Sequence, residues 1–113
     1  MSAELLALAD RLLQAFACSD LSEIEELCGD HIILVGTDVG ELWHGKEAVL
    51  GAFEGGTYDL GVEWIGVPMI RGQAVVGDAR FTTPDGATQD ARVTLVFENG
   101  RCVHGHYSTA ATA

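Results

Sequence analysis

The spacing of apolar residues changes part-way along the chain, and this change restricts the fold more than any other feature. Near the N-terminus, Leu8, Leu12 and Phe16 recur at helical spacing and predict a first helix over residues 3–18. From residue 58 onward, apolar and polar residues alternate in several short stretches, which is typical of half-buried strands. Helices that precede a series of antiparallel strands predict an α+β fold.

The segment between these regions predicts a second helix, a strand and a third helix. Two overlapping capping boxes fit the start of the second helix, one headed by Asp20 and the other by Ser22. The apolar run "HIILVG" predicts a buried strand, "TDVGELWHG" predicts a loop, and "GKEAVLGAF" predicts the third helix. Four strands follow, and a strongly twisted sheet of this kind would curl around the helices and enclose a cavity.

The dipeptide Asn99-Gly100 predicts a two-residue turn that sets the register of the last two strands, with Glu98 opposite Arg101. One face would then carry Val93, Leu95, Phe97, Cys102, His104 and His106. The other face would carry Arg92, Thr94, Val96, Val103, Gly105 and Tyr107. A three-residue loop would shift the register by one residue and exchange these roles.

Length and composition favour one globular domain over residues 1–113, because 113 residues with 48% hydrophobic content suffice for a single core. No apolar run approaches the roughly 20 residues that span a bilayer. The N-terminus lacks the basic start and small-residue cleavage site of a signal peptide. An odd number of cysteines, three, predicts free thiols in a reducing cytoplasm.

The net charge of −11 is concentrated in the first half of the chain. Residues 1–63 contain 13 acidic and 2 basic side chains, whereas residues 64–113 contain 4 of each. Without a basic patch to neutralise phosphates, neither nucleic acid nor an anionic membrane surface is an expected partner.

Two segments resemble the SnoaL-like branch of the nuclear transport factor 2-like superfamily. In "GDHIILVGTDVGELWHGKEAVLGAF", an acid precedes an apolar strand, a Gly-Thr-Asp turn follows, and an aromatic residue and a glycine precede a helix. "VHGHYS" is similar to the V-H-x-H-x-S ending of that superfamily, including the association domain of calcium/calmodulin-dependent kinase II. The resemblance implies a cone-shaped fold, in which N-terminal helices pack on a curved, mostly antiparallel sheet enclosing a pocket. It also implies a homodimer packed through the outer face of the sheet.

The resemblance suggests several pocket residues. Arg80 and Arg92 match arginines that line the pocket of the kinase association domain, and Tyr107 stands where that domain has a third arginine. Compared with ketosteroid isomerases, the base position falls at Gly36 and the acidic donor position at Val93, so both functional groups are missing.

Asp78 and Arg80 lie two residues apart on a predicted strand, so their side chains share a face. Three interpretations compete. The two residues form a structural ion pair, or they bind an anionic ligand through the arginine fork, or Asp78 is a general base with a pKa raised by burial.

Trp43, Tyr58 and Tyr107 are the expected aromatic walls of the pocket, although Trp43 could instead pack beneath the third helix. Cys102, His104 and His106 alternate on a strand in a way that could ligate a metal ion. A fourth ligand is not identifiable, so neither a metal nor another cofactor is expected.

Three functions remain. The favoured hypothesis is a pocket protein that binds a small molecule with an acidic or carbonyl group through Arg80 and Arg92. The second is an isomerase, cyclase or dehydratase with Asp78 as its base, working by acid–base chemistry without a cofactor. The third is a homo-oligomerisation module with its histidine-rich face between subunits.

Overall fold

Three helices pack against one curved, open sheet in the structure, a computed structural model that describes residues 2–54 and 59–109. The helices are α1 (Ser2–Cys18), α2 (Leu21–Leu27) and α3 (Lys46–Phe53). The strands are β1 (Cys28–Val35), β2 (Leu42–His44), β3 (Gly61–Arg71), β4 (Ala74–Thr82), β5 (Thr88–Glu98) and β6 (Arg101–Thr109).

The described strands form a single sheet in the order β2-β1-β6-β5-β4-β3. Every neighbouring pair is antiparallel except β1 and β6, which are parallel. The predicted α+β fold with a mostly antiparallel sheet is therefore confirmed. Strand β2 lies inside the segment predicted to be a loop. The prediction missed this strand because three residues are too few to show an alternating pattern.

The start of α2 is fixed by Asp20, the first of the two predicted caps. Its side chain accepts a hydrogen bond from the backbone N–H of Glu23 at 3.3 Å, and Ser22 Oγ donates to the same carboxylate. This cap fixes the start of α2 at Leu21, directly after the short turn that follows α1.

The inner face of the sheet, which is the face towards the helices, carries the core. Its buried side chains include Leu34, Val75, Ala79, Val93, Leu95 and Phe97. The N-terminal helix is held there by polar contacts as well, because Leu60 N–H donates to the carbonyl of Ala17 at 3.0 Å. Val62 and Trp64 pack against this core, as their alternation with polar residues predicted.

A β-bulge at Val103 decides which residues of β6 face the helices. Asn99 and Gly100 form the predicted two-residue turn, with φ of 52° and 79°, and Glu98 pairs with Arg101. Val103 has no partner on β5, so the register shifts by one residue beyond it. Tyr107 then lies opposite Val93 on the inner face.

The same shift places His104 and His106 on the outer face, opposite Val96 and Thr94. The prediction that Arg92 shares a face with Tyr107 is therefore wrong, because Arg92 lies opposite Ser108 on the outer face. The prediction that the histidines share a face with Val93, Leu95 and Phe97 fails for the same reason.

Cys28 and Cys102 are register partners on β1 and β6, and both are completely buried free thiols. Burial raises the pKa of Cys28 to about 11 and that of Cys102 to about 12. Neither thiol is therefore suited to act as a nucleophile at neutral pH.

None of the helices in the described part of the chain combines the length and apolar character that a membrane span requires.

Candidate functional site

A cavity of about 290 Å³ lies between the inner face of the sheet and helices α1 and α3. The helices contribute Leu13, Phe16, Ala17, Ala52 and Phe53. The sheet and its connections contribute Leu34, Glu41, Trp43, Leu60, Phe81, Gln89, Ala91, Val93, Leu95, His106, Tyr107 and Thr109. Most of these side chains are aliphatic or aromatic, which is typical of a pocket for a small organic molecule.

Aromatic rings form much of the cavity wall. Phe16 of α1 and Phe53 of α3 stack with their ring centroids 5.0 Å apart and their planes 16° from parallel. Trp43 and Tyr107, two of the three aromatic residues predicted to line a pocket, both border this cavity. The third, Tyr58, lies outside the described residues.

Two polar residues of the cavity wall, Glu41 and Tyr107, are both partly buried. The Tyr107 hydroxyl donates a hydrogen bond to Glu41 Oε2 at 3.1 Å. The other carboxylate oxygen, Oε1, accepts from the backbone N–H of Asp38 at 2.8 Å. Two donors from separate parts of the chain thus fix the position of this carboxylate.

The segment before Glu41 is tied to the end of β6. Thr37 Oγ1 donates to the carbonyl of Tyr107 at 3.3 Å and accepts from the backbone N–H of Thr109 at 2.7 Å. Gly36 N–H donates to the carbonyl of Glu41 at 2.7 Å, which closes the turn. These contacts hold Glu41 and Tyr107 together although 66 residues separate them in sequence.

Gly36 lets the Glu41 side chain approach the backbone closely. A Cβ atom at position 36 would lie 2.7 Å from Glu41 Oε1 and 2.8 Å from Glu41 Cβ, which are both too short for real contacts. The carboxylate therefore occupies the space above Gly36, the position at which the isomerase resemblance expects a base.

Sequence reasoning missed Glu41 because the candidate base, Asp78, was chosen from a predicted strand. Glu41 lies in the segment predicted to be a loop. One local signal was available. Glu41 precedes Trp43 by two residues, and alternate residues of an extended segment point to the same side.

Asp78, Arg80 and Arg92 lie together, but on the outer face and outside the cavity. They line a groove with Ile65, Asp90 and Ser108. The side chains of Asp78 and Arg92 are 47% and 62% exposed. The structure therefore brings these three predicted site residues together and separates them from Trp43 and Tyr107.

The ion pairs in this groove cross between strands. Arg92 Nε donates to Asp78 Oδ1 at 2.6 Å, and Arg80 Nε donates to Asp90 Oδ1 at 2.8 Å. Each arginine makes a second hydrogen bond through Nη2, so both pairs are bidentate. The hydrogen bond from Arg80 lowers the pKa of Asp90. Of the three interpretations of Asp78 and Arg80, the ion pair between these two residues is wrong, because each pairs with the directly opposite residue on β5, which approaches more closely than an alternate residue of the same strand.

The alternating Cys102, His104 and His106 do not share a face. Cys102 is buried beneath the sheet, and its thiol donates to the carbonyl of His104 at 3.4 Å, whereas His104 and His106 face outward. Within residues 2–54 and 59–109, no group of three His, Cys, Asp or Glu side chains is arranged to hold a metal ion.

The sequence profile of the SnoaL-like domain matches residues 5–112 of this chain. A comparison with curated proteins gives no match.

Several solved structures share the fold at low sequence identity. A Kribbella flavida protein named as a ketosteroid isomerase has a TM-score of 0.82 and 14% identity, covering 98% of this chain and 81% of its own. An NTF-2 like protein of unknown function from Burkholderia xenovorans has a TM-score of 0.80 and 16% identity, with coverages of 99% and 87%. An Agrobacterium tumefaciens protein named as an isomerase of the SnoaL-like family has a TM-score of 0.78 and 14% identity, with coverages of 96% and 99%.

These likenesses agree with the fold built up above, a curved sheet and three helices around an internal cavity. The profile covers nearly the whole sequence, including both segments whose residues suggested the resemblance. The chain belongs to the SnoaL-like family, within the nuclear transport factor 2-like fold.

Proposed function

We propose that the chain binds a small, largely apolar molecule in the cavity between α1, α3 and the inner face of the sheet. The observation that carries this proposal is the contrast within the cavity wall. Aromatic and aliphatic side chains form most of the wall, and Glu41 with Tyr107 forms a hydrogen-bonded polar pair within it. A few well-placed polar groups in an apolar cavity orient a ligand while burial of its apolar surface supplies most of the affinity.

Filling the cavity from α3 should weaken binding. Ala52 lines the cavity, whereas Ala48, one helical turn earlier, is exposed. Ala52→Phe is expected to lower the affinity for a neutral aromatic probe by about tenfold or more, because the new ring occupies the space that the probe would fill. Ala48→Phe adds the same ring at the surface and should leave affinity unchanged. Isothermal titration with both variants checks this, and equal affinities would place the ligand elsewhere.

A second candidate function is acid–base chemistry on a ketone, with Glu41 rather than Asp78 as the base. The specific observation is that the Glu41 carboxylate lies above Gly36, within an apolar cavity and beside the Tyr107 hydroxyl. Enolisation needs a carboxylate base and a hydrogen-bond donor in such surroundings. Glu41 would remove a proton from the carbon beside the carbonyl and return it to the γ-carbon, so the reaction requires no oxidant.

The matched variants Glu41→Gln and Asp78→Asn separate the two carboxylates. With a β,γ-unsaturated polycyclic ketone, Glu41→Gln is expected to slow formation of the conjugated isomer by about a hundredfold or more, which is the usual contribution of a general base. Asp78→Asn should not change the rate. Ultraviolet absorbance of the conjugated product measures both. Loss of activity in Asp78→Asn alone would reverse the assignment.

We also propose that two copies of the chain associate through the outer face of the sheet. The support is a self-complementary charge pattern, in which Asp78 and Arg80 on β4 oppose Arg92 and Asp90 on β5. When two such faces meet about a two-fold axis along the strands, each carboxylate lies against an arginine of the second copy. Ile65, 42% exposed, supplies apolar surface beside these charges.

Reversing one charge of this pattern should separate the copies. Arg92→Asp would gather three carboxylates on adjacent strands, so each face would repel the other. Arg101→Asp makes the same charge change at the exposed hairpin end and should preserve the dimer. Light scattering during size exclusion at micromolar concentration distinguishes the species. A monomeric parent chain would contradict the proposal directly.

We propose a cytoplasmic location because the cysteines are free thiols. The sequence has an odd number of cysteines, three, and Cys28 and Cys102 are thiols buried in the core, which suits a reducing compartment.

A further inference from the structure

The described wall of the cavity contains an acidic side chain but no lysine or arginine. Among the described residues that line the cavity, Glu41 is the one Asp, Glu, Lys or Arg side chain. His106 also borders the cavity, but it is exposed and its register position faces outward. An anionic ligand would therefore meet a carboxylate with no arginine or lysine to balance its charge.

The cations of the chain are all placed elsewhere. The structure describes all six Lys and Arg residues of the sequence, and none of them lines the cavity. Four form ion pairs: Arg11 with Glu23, Lys46 with Asp30, Arg80 with Asp90 and Arg92 with Asp78. Of the remaining two, Arg71 donates to the sulfur of Met69, and Arg101 is exposed at the turn after β5.

The Glu41 carboxylate is positioned to accept a hydrogen bond from a ligand. It is held by the Asp38 N–H and the Tyr107 hydroxyl, at 2.8 and 3.1 Å, so it is fixed in position. A carboxylate offers about four acceptor positions, and these two bonds leave room for a ligand donor. A ligand group that donates a hydrogen bond and carries positive charge would satisfy the carboxylate best.

The aromatic rings of the cavity wall also favour a positive charge. The aromatic residues of the wall are Phe16, Trp43, Phe53, Phe81 and Tyr107. The face of an aromatic ring is electronegative, so it attracts a cation within about 6 Å. Tyr107 contacts Glu41 directly, and Trp43 follows it by two residues, so the carboxylate and two rings lie at the same end of the cavity.

We infer that the ligand is an amine with an apolar body, bound so that its ammonium group lies between the Glu41 carboxylate and the aromatic rings. This inference rests on the proposed binding function and adds the head group that the cavity selects. It replaces the ligand with an acidic or carbonyl group that was expected from Arg80 and Arg92, since both arginines lie on the outer face.

Three probes with one apolar body and different head groups test the inference on the full chain. Phenylbutylamine should bind about tenfold or more tightly than phenylbutanol, and phenylbutyrate should bind most weakly, in isothermal titrations at neutral pH. Equal binding of the amine and the alcohol, or a preference for the carboxylate, would overturn the inference while leaving the cavity as a binding site. Failure of all three probes would overturn the proposed binding function as well.

Matched amide variants locate the effect. Glu41→Gln keeps the shape and the acceptor oxygen towards Asp38 but removes the charge, and it should lower amine affinity about tenfold, towards that of the alcohol. Glu47→Gln removes the same charge from an exposed position on α3 and should retain the full preference for the amine. Circular dichroism confirms that each variant is folded. An unchanged preference in folded Glu41→Gln would remove the carboxylate from the recognition of the amine and overturn the inference.

Discussion

Replacing Phe97 with alanine is expected to lower the free energy of unfolding by about 3–5 kcal/mol, the usual cost of removing a buried phenylalanine ring. Phe97 is 1% exposed and is among the largest fully buried side chains described. It lies beside the β5–β6 turn and does not line the cavity. The melting temperature should fall by more than about 12 °C, since each kcal/mol corresponds to about 4–8 °C for a domain of this size.

Phe53→Ala provides the control for this prediction. Phe53 is only partly buried and borders the cavity, so part of its ring already faces open space. Its removal should enlarge an existing cavity and cost less than the loss of Phe97. Chemical denaturation of both variants gives the comparison. An equal or smaller cost for Phe97→Ala would show that the packed core lies elsewhere.

The second large effect is expected at Gly36, where a single methyl group should disturb both stability and binding. In Gly36→Ala the new Cβ would collide with Glu41 Cβ as well as with its carboxylate. Because Glu41 Cβ is attached directly to the backbone, rotation of the side chain cannot relieve the collision, and the segment before β2 must move. Overpacking of this kind costs about 1–3 kcal/mol. It should also break the hydrogen bond from Tyr107 to Glu41.

Gly51→Ala is the matched control, since a Cβ there meets nothing within 4 Å and the residue lies inside α3. Alanine is the better helix former, so this variant should gain roughly 0.5–1 kcal/mol. Thermal denaturation gives the stabilities, and titration with a neutral aromatic probe gives the binding. If Gly36→Ala is as stable as Gly51→Ala and binds equally well, Glu41 is not held in the way described.

The parts of the fold that could be predicted from sequence are those fixed by residues close together in the chain. Asp20 caps α2 through a neighbour three residues away, and Asn99-Gly100 forms a turn that needs positive φ at both positions. Helical spacing in α1 and alternation in β3 report burial directly. For these elements the local signal and the tertiary structure agree.

The candidate site was harder to predict because it depends on contacts between distant residues. The approach of Glu41 to Tyr107 depends on the parallel pairing of β1 with β6, which no local pattern encodes. Asp78 and Arg80 suggested a pair along one strand, whereas each found its partner on β5. The face of Tyr107 depended on one unpaired residue, and bulges leave little signal in an isolated sequence.

The bulge at Val103 has a consequence for how chains of this family could diverge. If β6 paired with β5 without the bulge and at the same length, Val103 would lie opposite Val96, Tyr107 would turn outward, and His104 and His106 would turn inward. The loss of the bulge, with no change in length, would thus exchange a phenol for two imidazoles on the inner face. Relatives of equal fold can in this way acquire different cavity chemistry from nearly the same string of residues.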